Sequence, residues 1–426
     1  MFLASQGLGT EGSLIIASVV LIISFFFTEI SKKTSIPSVL MLIVLGILGN
    51  IGINYFGGTD YDFFPILQLL GTVGLIMIVL EAALELKLDN DKVGPITKAF
   101  FIALVGLLVS AWLTAEVLKY FIEGMDTLTA WIYATPLSIL SSAIIIPSVM
   151  DLRNDKKEFH IYESTFSDIL GIMLFYFLES QLGLGDEHGG GGGGIGFMLT
   201  TLLTIALSFL FSYLIVIVFQ NIKNSVKLFL LIAVLLLLYA VGKKMHLSSL
   251  IIILVFGLII ANMKLFFAGP LKQFLNKDAA HEIYHGLHVV TMETAFVVRT
   301  FFFVIFGITI SFGALADLSV AGVSILLIAI IYVVRFILLR VSLGTDIIPQ
   351  LYIAPRGLIT VLLFYKIPEA VQVEGFSTGI LLYIIIGTSL IMTFAMIWNK
   401  NRANKAIKLV ESIPVNEVKW RLPEGK

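Results

Sequence analysis

The chain has 426 residues, of which 58% are hydrophobic and only 13% are charged, and its mean hydropathy is +1.00. Soluble domains average about 45–50% apolar and about 25% charged residues, so the composition predicts an integral membrane protein. The net charge of −1 gives no attraction for nucleic acid, and the absence of cysteine excludes disulfides, thiolate catalysis and cysteine metal sites.

Thirteen apolar runs approach the roughly 20 residues that a helix needs to cross a bilayer core. We number them spans 1 to 13, and the eighth and ninth are short and meet at the sequence GKKMH. In chain order they cover residues 13–30, 35–53, 63–86, 95–121, 128–150, 160–183, 195–220, 226–242, 247–262, 293–312, 320–342, 349–366 and 376–398. The pattern predicts an all-α polytopic membrane protein.

Lysine and arginine concentrate on one side of this arrangement. Of the 28 such residues, 21 fall at connections after odd-numbered spans or in the C-terminal tail, and four fall at the other connections. Because positively charged connections stay in the cytoplasm, we expect the N-terminus outside, the C-terminus inside, and a bacterial inner membrane as the location. The sequence GDEHGGGGGGIG (185–196) then lies outside, where its glycines predict a flexible tether.

Four charged residues inside the spans share one predicted depth, about 10 Å from the inner surface. They are Asp168 in span 6, Arg299 in span 10, Arg335 in span 11 and Arg356 in span 12, and Glu163 lies nearer the inner end of span 6. Buried charges in a membrane are costly and indicate a functional site. Five helical residues separate Glu163 from Asp168 by about 140°, whereas Ser164 shares the face of Asp168. We therefore predict an ion site at Asp168 and Ser164, and a structural ion pair at Glu163.

Two spans contain helix-breaking sequences. Span 5 includes TPLSILSSAIIIPSV (135–149), and span 12 includes Pro355-Arg356-Gly357. The two interruptions are seven spans apart and so run in opposite directions, which indicates an inverted repeat typical of transporters. Free backbone carbonyls at such breaks can bind a small cation together with nearby hydroxyl oxygens. The candidate hydroxyls belong to Thr135, Ser138, Ser141, Ser142 and Ser164.

Several segments, in order along nearly the whole chain, resemble the monovalent cation/proton antiporters, the sodium/proton exchanger family. ESTFSDILGIMLF (163–175) is similar to the family's Glu-Ser-x-x-Asn-Asp segment, and APRGLITVLLFY (354–365) to its Arg-Gly segment. The resemblance implies a fold of inverted repeats with two discontinuous crossing helices. It also implies that Asp168 carries the ion and the proton, that Glu163 pairs with Arg356, and that Arg335 faces the site.

The resemblance implies a division of the chain into scaffold and core. A homodimer is implied as well, in which the core moves against the scaffold like an elevator. The expected regions are 1–94 (scaffold spans 1–3), 95–183 (ion-translocating core spans 4–6), 184–225 (glycine-rich loop and linking span 7), 226–315 (scaffold spans 8–10), 316–398 (core spans 11–13) and 399–426 (cytoplasmic tail).

Two departures from the family pattern leave the ion open. Ser167 stands where the family usually has Asn, Asp or Gln, and SILSSA (138–143) replaces a Thr-Asp-Pro sequence, as in the potassium-efflux branch. Na⁺ is favoured and K⁺ stays open. The expected ion ligands are Asp168, Ser164, Ser167, Ser138, Ser141 and Ser142, with Arg335 and Arg299 as compensating charges. Cation and proton would compete for Asp168, which couples their movements without ATP.

Other functions stay open from sequence. A cation channel could use the same buried charges, and a proton- or sodium-coupled carrier of organic anions could clamp a carboxylate between Arg299, Arg335 and Arg356. An enzyme is not expected, since the chain has neither HExxH nor GxSxG. No cofactor or resident metal is expected. The expected partners are Na⁺ or K⁺, H⁺, the lipid bilayer and a second copy of the chain.

Two further groups of titratable residues lie near the inner surface. His281, His285 and His288 follow helical spacing and predict the polar face of an interfacial helix. Glu81 and Glu85 share one face at the inner end of span 3, where we expect them to be paired or to reach the interface.

Overall fold

The computed structural model describes residues 10–34, 36–55, 64–88, 90–150, 152–182, 193–222, 227–245, 247, 249–267, 276–309, 317–373 and 375–411. All regular secondary structure in these ranges is helical. Most of the glycine-rich loop and the end of the tail lie outside the described residues.

The described part of the chain contains fifteen α-helices. They are α1 (Thr10–Thr34), α2 (Ser38–Tyr55), α3 (Phe64–Glu85), α4 (Val93–Phe121), α5 (Thr127–Ser138), α6 (Ser142–Ser148), α7 (Asn154–Gln181), α8 (Gly193–Phe219), α9 (Lys227–Lys244), α10 (Ser249–Ala261), α11 (Met263–Phe266), α12 (Lys277–Thr309), α13 (Leu318–Leu343), α14 (Leu358–Phe364) and α15 (Gly379–Glu411).

The all-helical, multi-pass class predicted from composition is confirmed. Within the described ranges, eight helical segments are long and apolar enough to cross a membrane, and two shorter apolar helices accompany them. The total of thirteen crossings stays a prediction. The boundary predicted for span 10 was too late, because α12 begins at Lys277 rather than near residue 293. The histidine-bearing segment therefore continues directly into the span.

The helices pack in two sets. In the first set, α12 packs on α2 and α3, and α10 packs on α3, α8 and α9. In the second set, α4 packs on α5, α7 and α13, while α13 packs on α15 and α14 on α5. Contacts between the sets are made mainly by α7 with α3 and α8, and by α14 with α3. We call these the α12 set and the α4 set.

A pair of glycines brings two helices of the α12 set into backbone contact. A Cβ atom at Gly46 on α2 would collide with the carbonyl oxygen of Val304, and one at Gly307 on α12 would collide with that of Ile43. Small residues allow such close approach inside membranes, where dispersion contacts replace the hydrophobic driving force. The two glycines thus fix the spacing of α2 and α12.

Both predicted interruptions are present, and they touch each other. Residues 139–141 separate α5 from α6, with extended backbone at Ile139 and Ser141, and residues 353–357 precede α14. The Ser141 amide donates to the Pro355 carbonyl over 3.0 Å. A Cβ atom at Gly357 would lie 2.5 Å from the Ser141 hydroxyl oxygen, so this crossing requires glycine.

Aspartates begin two helices of the α4 set. Asp126 precedes α5 and accepts hydrogen bonds from the amides of Leu128 and Thr129, and Asp317 precedes α13 and accepts from the Ser319 amide over 2.8 Å. Such side chains satisfy amides that have no partner within the helix. They fix the N-terminal ends of α5 and α13.

Candidate functional site

Asp168 is a buried carboxylate without a hydrogen-bond partner. It lies on α7 with 1% of its surface exposed, and neither carboxylate oxygen accepts a hydrogen bond. The Ser142 hydroxyl and amide face it from the first turn of α6 without meeting hydrogen-bond geometry. Burial of an ionised carboxylate without a hydrogen bond or a counter-charge costs several kcal/mol of folding free energy. Both oxygens are therefore available to a proton or a cation.

Ser164 lies one turn before Asp168 on the same face of α7 and is fully buried. Its hydroxyl donates to the His160 carbonyl over 2.7 Å. A hydroxyl that donates its proton to the backbone keeps oxygen lone pairs that can accept or coordinate. The Ser164 oxygen can thus coordinate a cation at Asp168 while its hydroxyl proton stays hydrogen-bonded to the His160 carbonyl.

Glu163 pairs with Arg335, so the prediction that it pairs with Arg356 is wrong. The Arg335 Nη1 and Nη2 atoms donate to the two Glu163 carboxylate oxygens over 2.8 and 2.9 Å, and Arg335 Nε donates to the Gln350 carbonyl over 3.0 Å. The Nδ1 atom of His160 lies 3.3 Å from the same carboxylate. The guanidinium fork matches both oxygens at once, which connects α7 with α13.

Arg356 binds backbone carbonyls instead. Its Nε donates to the Leu137 carbonyl over 2.9 Å and its Nη1 to the Ala354 carbonyl over 3.0 Å, while its amide donates to the Thr388 hydroxyl. Leu137 is in the last turn of α5, where carbonyls lack partners within the helix and carry partial negative charge. This attraction accounts for the binding of Arg356 to backbone carbonyls rather than to Glu163.

Arg299, which was predicted to compensate the charge of Asp168, has a carboxylate partner of its own. Its Nη2 donates to Glu81 over 2.8 Å, joining α12 to α3. Glu81 in turn lies close enough to Asp168 to act on it electrostatically. The expectation that Glu81 is paired is confirmed, but neither its partner Arg299 nor its proximity to Asp168 was predicted. Its position inside span 3 was the available signal.

The remaining predicted ligands form hydrogen bonds with backbone groups or line a separate cavity. The Ser167 hydroxyl accepts from the Leu140 amide over 3.0 Å, which satisfies a backbone donor within the first interruption. Ser138 donates to the Ala134 carbonyl over 2.8 Å. Ser138 and Ser167 line a cavity together with Arg335 and Arg356, and Asp168 does not line it. The structure therefore groups Asp168 with Ser164 and Ser142, and leaves Ser141 at the crossing.

The family model for sodium/hydrogen exchangers, transmembrane region, matches residues 16–399. The chain belongs to the sodium/hydrogen exchanger family. This family membership identifies a multi-pass membrane transporter of the sodium/proton antiporter type. The residues of the crossing and of the ion pair described above all fall within the matched region.

Two solved structures of one sodium proton antiporter share the fold. The sodium proton antiporter MjNhaP1 from Methanocaldococcus jannaschii at pH 8 aligns with a TM-score of 0.63 and 19% identity over 90% of this chain and 94% of that one. An electron-microscopy structure of the same antiporter aligns with a TM-score of 0.62 and 19% identity over 95% and 99%. At this identity the comparison establishes the fold and leaves residue roles to the local geometry.

Polar side chains near the C-terminal end of α3 form a second cluster. His288 Nε2 lies 2.9 Å from the Glu85 carboxylate, and Lys87 lies over the ring of Tyr284, 5.1 Å from its centroid. His281 and His285 are exposed on the same helix. Within the described residues, no group of three or more His, Asp or Glu side chains could hold a resident metal.

Proposed function

We propose that the protein exchanges a monovalent cation for H⁺ by alternating access, and that the two ions compete for Asp168. The single observation that carries the proposal is the buried, unpaired carboxylate of Asp168 beside the crossing of two interrupted helices. Na⁺ is the favoured cation because the family is defined by sodium/proton exchange, and K⁺ is the alternative.

Competition follows from the cost of burying charge. A carboxylate in a low-dielectric interior is stable only when it is protonated or paired with a cation. Either the proton or the cation neutralises Asp168, and binding of one removes the negative charge that attracts the other. Without either, the ionised carboxylate resists passage across the apolar barrier between the two sides. Cation movement and proton movement are then coupled without an additional gate.

Oxygen ligands for the cation surround Asp168. Ser164 and Ser142 contribute hydroxyl oxygens, and the Glu81 carboxylate adds negative potential from α3. Hard monovalent cations bind such oxygen sets. Only one carboxylate in this group lacks a partner, because Glu81 is paired with Arg299. One available charge favours exchange of one cation for one proton.

The two helical sets supply moving parts for alternating access. We propose that the α4 set, mainly within residues 95–183 and 316–398, is the core that carries Asp168. The α12 set apart from α8, within residues 1–94 and 226–315, is the scaffold, and α8 lies in the linking region 184–225. The sets touch along α7 and α14, close to Asp168. The apolar window of α1 is only 6% buried, which supports contact of the scaffold with lipid or with a second copy in a homodimer.

The anion-carrier alternative is disfavoured by the partners of the three arginines. Arg335 is bound to Glu163, Arg299 to Glu81, and Arg356 to two backbone carbonyls. An organic carboxylate would have to displace these bonds. A cation channel would conduct far faster than conformational changes on the µs–ms scale allow, so the transport rate separates it from an exchanger.

The test is a reconstituted assay of pH-gradient dissipation. Proteoliposomes with an imposed gradient receive Na⁺, Li⁺, K⁺, Rb⁺ or choline, and a pH dye reports proton movement. We expect wild type to respond to Na⁺ and not to choline. Asp168→Asn should not respond, while the control Asp317→Asn, at an exposed helix start, should respond like wild type. Cation-dependent proton movement by Asp168→Asn equal to that of wild type would refute the proposal.

A further inference from the structure

The α4 set contains a partly open cavity of about 30 Å³ that Asp168 does not line. This is room for two or three water-sized groups at roughly 10–15 Å³ each. Its apolar wall comes from α4 and α13, where Gly106 and Leu338 approach each other. Its polar wall consists of Ser110, Ser138, Ser167, Glu163, Arg335 and Arg356.

The free polar groups on this wall are hydrogen-bond donors. Ser110 is 4% exposed, and its hydroxyl forms no hydrogen bond within the described residues. Ser167 accepts from the Leu140 amide and keeps its own proton to donate. Arg356 is 2% exposed, and its Nη2 has no partner within the described residues. Donors of this kind favour an anion over a cation.

The charges around the cavity leave one positive charge without a carboxylate. Both Glu163 oxygens accept from Arg335, so these two residues neutralise each other. Arg356 has only carbonyl dipoles as partners. A buried cation with no counter-charge is costly in a low-dielectric interior. A monovalent anion beside Arg356 would neutralise it and satisfy the free donors.

We propose that this cavity binds a small monovalent inorganic anion of the halide class, held by Arg356, Ser110 and Ser167. With the anion bound, the α4 set carries a neutral Glu163–Arg335 pair and a neutral Arg356–halide pair. The charge of Asp168 is then the only one that changes during exchange. The anion is a fixed part of the core and is not transported.

Thermal unfolding of the purified full-length protein tests the site. Melting temperature is measured in detergent as choline bromide replaces choline gluconate at constant ionic strength and pH. We expect a saturable rise with bromide in wild type. Ser110→Ala should need about tenfold more bromide for the same rise, because it removes one hydrogen bond to a charged group. Thr114→Val is the matched control, one turn further along α4, buried and not lining the cavity.

The outcomes distinguish this site from the exchange reaction. An identical bromide response of Ser110→Ala and Thr114→Val would show a general salt effect and overturn the anion site, as would no response in wild type. Crystals soaked in bromide should show an anomalous peak beside Arg356, and its absence at saturating bromide would also overturn the site. Either failure leaves the exchange at Asp168 intact, since the gradient assay with Asp168→Asn tests that separately.

Discussion

Arg335 on α13 and Glu163 on α7 form a two-pronged ion pair that is almost completely buried, with N–O distances of 2.8 and 2.9 Å. Removal of one partner leaves the other charge buried without a counter-charge. We therefore expect Glu163→Gln to lower the free energy of unfolding by about 3–5 kcal/mol, measured as loss of folded protein on heating in detergent.

The double variant Glu163→Leu/Arg335→Met separates the effect of an unpaired buried charge from the effect of altered packing. It removes both charges together, so it should recover most of the stability lost in the single variant. Glu81→Gln is the matched control, because the Glu81–Arg299 pair is more exposed, with side-chain exposures of 20% and 16%. A double variant no more stable than Glu163→Gln would contradict this account of the pair.

Close packing of α7 against the first interruption should be sensitive to a single methyl group. A Cβ atom at Gly171 would collide with the side chain of Ile139, so Gly171→Ala should lower the melting temperature. Adding Ile139→Ala should restore much of that loss, because it removes the atoms that clash. Overpacking costs about 1–3 kcal/mol. Equal melting temperatures of Gly171→Ala and wild type would show that α7 does not lie against Ile139.

Relative motion of the two helical sets can be tested by cross-linking, since the chain has no cysteine of its own. A Cβ atom at Gly71 on α3 would lie 2.9 Å from the Leu362 side chain on α14, across the boundary between the sets. We expect Hg²⁺ to link Gly71→Cys and Leu362→Cys and to stop exchange in proteoliposomes. Reduction with excess thiol should restore it.

The matched cross-link lies within the α12 set. A Cβ atom at Gly74, one turn further along α3, would lie 2.8 Å from Val298 on α12. Linking Gly74→Cys to Val298→Cys should leave exchange unchanged, because both residues belong to the same set. Exchange that continues after complete linking of Gly71→Cys and Leu362→Cys would contradict motion between the sets.

Asp126 should stabilise α5 at every pH at which exchange is assayed. The side-chain hydrogen bond with Thr129 holds the pKa of Asp126 below its usual 3.8. The stabilisation is therefore complete above about pH 4 and is lost as pH falls through the lowered pKa. Asp126→Ala should cost about 0.5–2 kcal/mol, with a constant melting-temperature difference from pH 6 to 8. A difference that changes across that range would contradict this role, and Asp126→Asn should retain most of the cap.

Sequence reasoning identified the buried charges but not all of their partners. Helical rise gave their expected depth, which stays a prediction, while the structure shows that Glu163, Arg335 and Arg356 are buried. The choice between the two arginines depends on side-chain reach and on the free carbonyl of Leu137, which a helical pattern does not contain. The resemblance therefore supplied the wrong partner for Glu163.

The second interruption was predicted at its position, since Pro355-Arg356-Gly357 lies within residues 353–357, whereas the first was predicted only within residues 135–149. Proline and serine indicated a break in span 5, yet Pro136 lies inside α5 and Pro147 inside α6, while the break itself falls at residues 139–141. Tertiary contacts decide this, because the Ser167 hydroxyl and the Pro355 carbonyl bind amides within the break. Neither contact is local in sequence.

Proton release on sodium binding tests the central claim most directly. Na⁺ is added to purified protein in weakly buffered detergent solution at a pH where Asp168 is protonated, and a pH electrode counts the protons released. We predict that wild type releases up to one proton for each Na⁺ bound and that Asp168→Asn releases none. Sodium binding to wild type without proton release, or equal release from Asp168→Asn, would contradict competition at this carboxylate.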